Sequence, residues 1–348
     1  MVNYKKNKNL IFIGAINKNH LPLCGETAKN QVLVEYLENK FKKIQIIDTY
    51  NWKKSIKVIY NLFKVIVLKR KWALIISAST NSVYKITLML NLFRRKNKAY
   101  YFVIGNSIID GIKRGKYKTK YYKCYSNIFV EGKAMENELC SMGLQNVCFV
   151  PNFRKIPEHF LRKNHVWPIN ETKIHFVFLS VIKKEKGVEL IFKSIEILNS
   201  KGLSERYDVS FYGPIQQEFK ETFSYLLNKF NNSYYKGYLN LKEEAGYDIL
   251  SNYHVMLFPT FWQGEGFPGA IIDAFIAGLP VIATNWHLNS EIITNNFTGF
   301  IVKINPIDLS EKMEHFILNK VLIDNMRLNC IKSAVQFDYK HVLSGIEF

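Results

Sequence analysis

Two carboxylates, Glu265 and Asp273, bracket a glycine-rich stretch that reads Gly264-Glu265-Gly266-Phe267-Pro268-Gly269. The apolar run Val255–Pro259 precedes it and Pro280–Thr284 follows it, so the local order is strand, glycine loop, helix, strand. Glycines let backbone approach a ligand closely, and Pro268 suits a first helical turn. The amides exposed there, together with the helix dipole, favour a phosphate. Asp273 lies one turn beyond Gly269 and projects towards the same end as Glu265, which places two carboxylates beside a diphosphate pocket. Taken alone, the pair reads as a solvated loop acid and a helix carboxylate; the order of elements around it sharpens the reading. Gly264 to Gly269 also fits G-x-G-x-x-G, with Glu291 about twenty residues on, but the fit to dinucleotide binding is poor. Thr260 to Gly264 is too long for the tight turn, and Thr284-Asn285 lacks the acid that would hold a ribose. A nicotinamide or flavin cofactor is not expected.

Completed by Gly278-Leu279-Pro280-Val281-Ile282-Ala283, the stretch resembles the Glu-x7-Glu signature of family 4 glycosyltransferases with the GT-B fold. The resemblance implies that Glu265 contacts hydroxyls of a donor sugar and that Asp273 binds the ribose of its nucleotide. Aspartate in the second place is one methylene shorter than the family's glutamate. Gly266, Phe267, Pro268 and Gly269 complete the donor loop. Ser180-Val181-Ile182-Lys183-Lys184-Glu185-Lys186-Gly187 resembles the segment whose arginine and lysine hold the donor diphosphate. Lys186 keeps the lysine place, but Val181 stands where the arginine would be. A bidentate phosphate contact is lost there, and Lys183 or Lys184 is the substitute source of charge. Glu265 and Lys186 are thus the catalytic candidates.

Cys24-Gly25-Glu26-Thr27-Ala28-Lys29-Asn30 resembles the family's first glycine-rich loop, which assigns Gly25, Glu26 and Thr27 to the acceptor side of a cleft. Asn106, after Ile104-Gly105, stands near where many members carry a histidine and is given a supporting role. Val150-Pro151-Asn152-Phe153 resembles the interdomain connection. No Asp-x-Asp pair occurs, so a metal is not expected; Lys186, backbone amides and the helix start would neutralise the leaving diphosphate. The resemblance implies retaining transfer without a conventional protein nucleophile, from a nucleotide-diphosphate sugar, a UDP-sugar being expected. The acceptor would be a lipid-linked or glycan saccharide in cell-surface polysaccharide synthesis, capsule included. A catalytically impaired member is the alternative, weighed by Val181 and Asp273.

Short apolar runs alternating with helical patterns read as βαβ units. Leu10–Ile16, Ile44–Ile47, Leu74–Ser77, Tyr101–Ile104, Asn127–Val130 and Val147–Val150 supply one parallel sheet. His175–Ser180, Asp208–Tyr212, Tyr234–Tyr238, Val255–Pro259, Pro280–Thr284 and Phe300–Val302 supply a second. The expected fold class is α/β: two Rossmann-like, doubly wound domains facing across a cleft. They would comprise residues 1–160, binding acceptor, and 161–334, binding the nucleotide sugar. A helix in 335–348 would return to the first domain. Trp262 is a candidate to stack on a base or sugar. The scattered His20, His254 and His287 read as surface or packing residues.

The charge is uneven. Of 48 Lys and Arg and 29 Asp and Glu, residues 1–160 hold 29 basic and 9 acidic, leaving 19 basic and 20 acidic for 161–348. An anionic partner for the first domain is implied. Lys57, Lys64 and Lys71 recur among Ile56, Ile59, Tyr60, Phe63, Val67 and Leu68 in the segment Trp52–Lys71, a basic amphipathic helix. It either covers the sheet with solvated lysines or lies on anionic lipid. Arg94, Arg95, Lys96 and Lys98 form a second cluster, and Lys113 to Lys120 a third. A nucleic-acid-binding protein is the competing class, but it needs a basic groove with interleaved aromatics; nucleic acid is not the expected partner. Five cysteines in no metal-binding or paired spacing fit a reducing compartment, and no apolar run is long enough to span a bilayer. The expectation is a cytoplasmic protein, peripheral at the inner face of a membrane.

Overall fold

The computed structural model describes residues 6–17, 25–50, 55–69, 71–93, 98–161 and 173–348. Cys24, His20, Trp52, Arg94–Lys96 and the connection Asn164–Thr172 lie outside the described residues. The chain divides into two compact units, 1–155 with 339–348, and 156–338. The divisions fall at these places, and not at 160 and 334, for packing reasons. Phe160 lies edge-on to Tyr247 and Phe337 edge-on to Phe267, which keeps both short segments with the second unit.

The first unit carries β1 (Lys6–Gly14), β2 (Phe41–Asp48), β3 (Ala73–Ser79), β4 (Ala99–Ile104), β5 (Asn127–Val130) and β6 (Val147–Phe149). They form one parallel sheet in the order β2-β1-β3-β4-β5-β6. Strand β3 is buried almost throughout, as a parallel strand covered on both faces must be. The crossovers include α1 (Gly25–Lys40), α2 (Ile56–Leu68) and α3 (Thr80–Leu92). The second unit repeats the plan with β7 (Ile174–Leu179), β8 (Tyr207–Tyr212), β9 (Ser233–Tyr235), β10 (Val255–Phe258), β11 (Val281–Thr284) and β12 (Gly299–Val302). Their order is β12-β11-β10-β7-β8-β9, again parallel. Twelve strands lie where the apolar runs put them. β9 stops at Tyr235, short of Tyr238, because Gly237 takes φ +77°, outside the range a strand tolerates.

Each sheet changes winding direction once. In the second unit the chain passes from β7 to β8 and β9 on one side, then returns to β10 on the other. The loops after β7 and β10 therefore open a crevice at adjacent strand ends, which is where open α/β sheets bind ligands. The corresponding switch in the first unit lies between β1 and β3.

Residues 339–348 close the apolar face of the first sheet. Tyr36 donates to the Leu343 carbonyl at 2.8 Å, and Tyr339 sits edge-on to Tyr36. Phe348 meets Tyr100 at 5.5 Å and Phe102 at 6.3 Å between ring centres. We expect Phe348→Ala to lower the unfolding free energy of this unit by about 3 kcal/mol, the usual cost of emptying a buried aromatic site. Urea unfolding followed by tyrosine fluorescence checks it; an unchanged midpoint would show that the ring is not part of the core.

Candidate active site

The loop after β7 and the loop after β10 are joined by an ion pair. Lys186 Nζ donates to Glu265 Oε2 at 2.5 Å, with both side chains less than a tenth exposed. Thr260 Oγ1 donates to the same oxygen at 2.9 Å. Two bonds to Oε2 leave Oε1 as the carboxylate oxygen that can accept from a ligand. The backbone brings the partners this close through Gly187. Its φ is +79°, and a Cβ there would stand 2.0 Å from the Pro259 carbonyl oxygen, so only glycine lets the turn Lys184–Lys186 rest on the end of β10. Phe261 N–H donates to Glu185 O at 2.8 Å and fixes the same contact from the other side.

Trp262 forms a wall of this pocket. Lys183 Nζ stands 4.2 Å and Lys186 Nζ 4.7 Å from its ring centre, both within cation–π range. The ring lies against Gly264, and Trp286 Nε1 donates to its carbonyl at 2.8 Å. Burial pulls the Lys183 ammonium pKa below the ordinary lysine value, Glu185 opposing the shift. Of the two lysines expected to replace the missing arginine, Lys183 shares this pocket, whereas Lys184 is exposed.

The helix Gly269–Ile276 begins beside the loop. Pro268 is the residue that caps it and not part of its first turn: its ψ of 109° is extended, and Gly269 is the first helical residue. Gly266 is half-buried in the approach to it. The Phe267 ring turns inward onto Phe337, so what Phe267 offers a ligand is its amide. Asp273 is buried on this helix, and Tyr247 OH donates to its Oδ1 at 2.8 Å. Asp273 raises the Tyr238 phenol pKa, after burial, which places that ring nearby too. The structure thus groups Lys183, Lys186 and Glu265 around Trp262, and Asp273 with Tyr247 and Tyr238.

In the first unit, Gly25 opens α1, with Glu26 in its first turn and Thr27 buried behind it. Burial pushes the Glu26 carboxyl up to about 7. Asn30 Nδ2 donates to Ala15 O at 3.0 Å and Ser77 O at 3.1 Å, tying the helix start to the ends of β1 and β3. Lys29 is buried in an ion pair with Glu131 at 2.6 Å. Gly25, Glu26 and Thr27 therefore sit at the winding switch. Asn106 stands apart from them on another element, after β4 at the start of the helix Ser107–Lys113. His254 is buried with its ring nitrogen accepting from His175 N–H, and burial lowers its pKa to about 3; it is a packing residue.

Residues 159–337 match the family model of glycosyl transferases group 1. The chain belongs to that family. This glycosyltransferase is 32% identical over 88 residues to an Escherichia coli protein named UDP-Gal:alpha-D-GlcNAc-diphosphoundecaprenol alpha-1,3-galactosyltransferase, covering 25% of this chain and 22% of that one. It is 22% identical over 294 residues to an uncharacterized glycosyltransferase of Methanocaldococcus jannaschii, covering 78% of this chain and 66% of the relative. The chain thus spans less than two thirds of either relative's length. The crystal structure of Anabaena HepE in complex with UDP and glucose superposes with a TM-score of 0.68, at 13% identity, over 97% of this chain and 98% of that one. The architecture is that of GT-B glycosyltransferases, two parallel-sheet units of the kind the sequence implied.

Thr260, Tyr247 and Trp286 were not singled out from the sequence. Thr260 had a visible signal, since it is the polar residue that ends the β10 run two places before Trp262; Tyr247 had none. In this glycosyltransferase the buried pair should behave as a unit. Lys186→Met, which strands a buried carboxylate, is expected to cost about 3 kcal/mol of stability, and adding Glu265→Gln should restore a large part of it. Thermal unfolding of the single and double variants decides this, and additive losses would show the pair to be uncoupled.

Proposed function

We propose that this chain is a retaining glycosyltransferase that moves a hexose from a UDP-sugar to a lipid-linked diphosphate saccharide at the inner face of a membrane, in the assembly of a surface polysaccharide such as a capsule. The observation that carries the reading is the Lys186–Glu265 pair at the β7/β10 switch. In this reading Lys186 is the cation that meets the departing diphosphate, and Oε1 of Glu265 accepts from sugar hydroxyls. The names of the relatives support the donor and acceptor classes: the E. coli protein's name specifies UDP-Gal and a diphosphoundecaprenol-linked sugar, and HepE was solved with UDP and glucose.

The geometry supports the following division of labour. Lys186 and Lys183 neutralise the departing diphosphate, helped by the amides at the start of the Gly269–Ile276 helix. Glu265 is oriented by Lys186 and Thr260, so it positions the sugar through Oε1 and is not a free nucleophile. The acceptor hydroxyl bonds to the anomeric carbon on the face the diphosphate leaves, and its proton goes to the departing oxygen. No step asks for a metal. Asp273, held by Tyr247, binds the ribose, and Gly25 to Thr27 and Asn106 belong to the acceptor side.

Transfer from a UDP-sugar, followed as released UDP, should fall by roughly 10²–10³ in kcat for Glu265→Gln with the fold intact. It should be unaffected by EDTA. A thermal-shift panel of UDP-, GDP- and dTDP-sugars should raise the midpoint for UDP-sugars; absence of any shift and any turnover would overturn the proposal. Tyr247→Phe should raise the donor KM by roughly tenfold, one hydrogen bond to a charged group, while kcat changes little. A loss confined to kcat would place Asp273 outside ribose binding.

A further inference from the structure

The helix α2 buries one side and leaves a second apolar side uncovered. Leu62, Val65 and Ile66 face the core. On the adjoining, solvent-facing side, Ile56, Ile59, Tyr60 and Phe63 follow the i, i+3, i+4, i+7 spacing of one stripe, with Ile56 86% and Tyr60 62% exposed. The stripe continues onto the end of α3, where Phe93 meets the Phe63 ring edge-on at 5.9 Å and Leu92 is 76% exposed. An ordinary sheet-covering helix would present solvated polar groups here. Burial of Leu62, Val65 and Ile66 makes α2 a sheet-covering helix, and the exposed apolar stripe is what that role leaves unexplained.

Charge identifies what the exposed side meets. Lys57 and Lys64 lie along one margin of the stripe, and Lys71 follows the helix; all three are exposed. Between Asp48 and Asp110 the sequence holds 12 Lys and Arg and no Asp or Glu. An apolar stripe edged by lysines in an acid-free stretch complements an interface that is anionic above and hydrocarbon below. A nucleic acid would match the charge but not the uncovered Ile56, Phe63 and Leu92. No helix among the described residues is long and apolar enough to cross a membrane.

We infer that α2 and the end of α3 form a docking face for an anionic lipid bilayer, Ile56, Tyr60, Phe63 and Leu92 entering the interface and Lys57, Lys64 and Lys71 meeting headgroup phosphates. The inference deepens the membrane location proposed above but rests on the first unit alone, outside the residues matched by the family model.

Co-sedimentation of the full chain with vesicles, read without any sugar donor, tests it. The protein should bind phosphatidylcholine vesicles containing phosphatidylglycerol and bind pure phosphatidylcholine far less. Lys57→Glu with Lys64→Glu should weaken binding at least about twentyfold, since each basic residue near an anionic surface is worth roughly fivefold. Ile56→Ser with Phe63→Ser should weaken it at least tenfold, at unchanged circular dichroism and unchanged thermal shift with UDP-sugar. Binding that survives both double variants overturns the proposal. So does a change of solution mass in the serine variant without lipid, which would show that a second copy covers the stripe. Loss of transfer with vesicle binding intact would instead count against the reaction.

Discussion

The approach of the two loops at the second unit's winding switch depends on one ionic contact. Lys186 and Glu265 come from loops that follow different strands, β7 and β10, and their side chains are nearly dry. Two such groups remain charged inside a protein only where each compensates the other's lost hydration, so the pair dictates how close the loops must come. That closeness requires Gly187 in a left-handed conformation against Pro259 and requires Thr260 to offer its hydroxyl to the same carboxylate oxygen. The Thr284 hydroxyl in turn donates to the Thr260 carbonyl, and Asn289 to that of Thr284, so the pocket wall is braced from β11 as well. The contact is thus the structural tie across the winding switch and sets two opposite charges side by side there.

The two departures from the family pattern have different consequences here. Replacing an arginine by Val181 removes a planar donor that binds two oxygens at once, and no lysine reproduces that geometry. What the pocket offers instead is two ammonium groups on one indole ring, Lys183 and Lys186, with Lys183 partly stripped of water. A desolvated ammonium interacts more strongly with an anion than a hydrated one does, so in the proposed donor site point charges in drier surroundings offset part of the loss of shape. Asp273 is a subtler case. Its shorter side chain is buried and held by the Tyr247 hydroxyl, which trades reach for a fixed position.

The strands were legible because each is a short apolar run punctuated by glycine, proline or charge, and burial on both faces of a parallel sheet makes such runs nearly continuous. Glu265 and Lys186 were legible as residues at motif positions, but their mutual contact was not, since 79 positions separate them and only the strand order β10-β7 makes them neighbours. Tyr247 lies beyond the reach of any local pattern for the same reason: its helix, Glu244–Ser251, shows only ordinary amphipathic spacing, and its hydroxyl acquires a partner through packing. Pro268 illustrates a smaller displacement. It suits a first helical turn, yet the helix starts one residue later, because the loop that delivers Glu265 keeps Pro268 extended.

The uneven charge of the chain follows from how the units differ in what they must hold. A site built on a paired Lys186 and Glu265 needs few net charges, because its cation is already matched. The second half of the chain, 161–348, is accordingly nearly neutral, with 19 basic and 20 acidic residues. In the first unit the exposed Lys57 and Lys64 border the apolar stripe of α2, in a stretch of sequence without a single carboxylate. Charge that is dispersed along a surface acts on other surfaces, whereas charge concentrated in a dry pocket acts on a single group. A net charge of +19 in this chain consequently reports on the surface of the first unit and says almost nothing about the Lys186–Glu265 pair in the second.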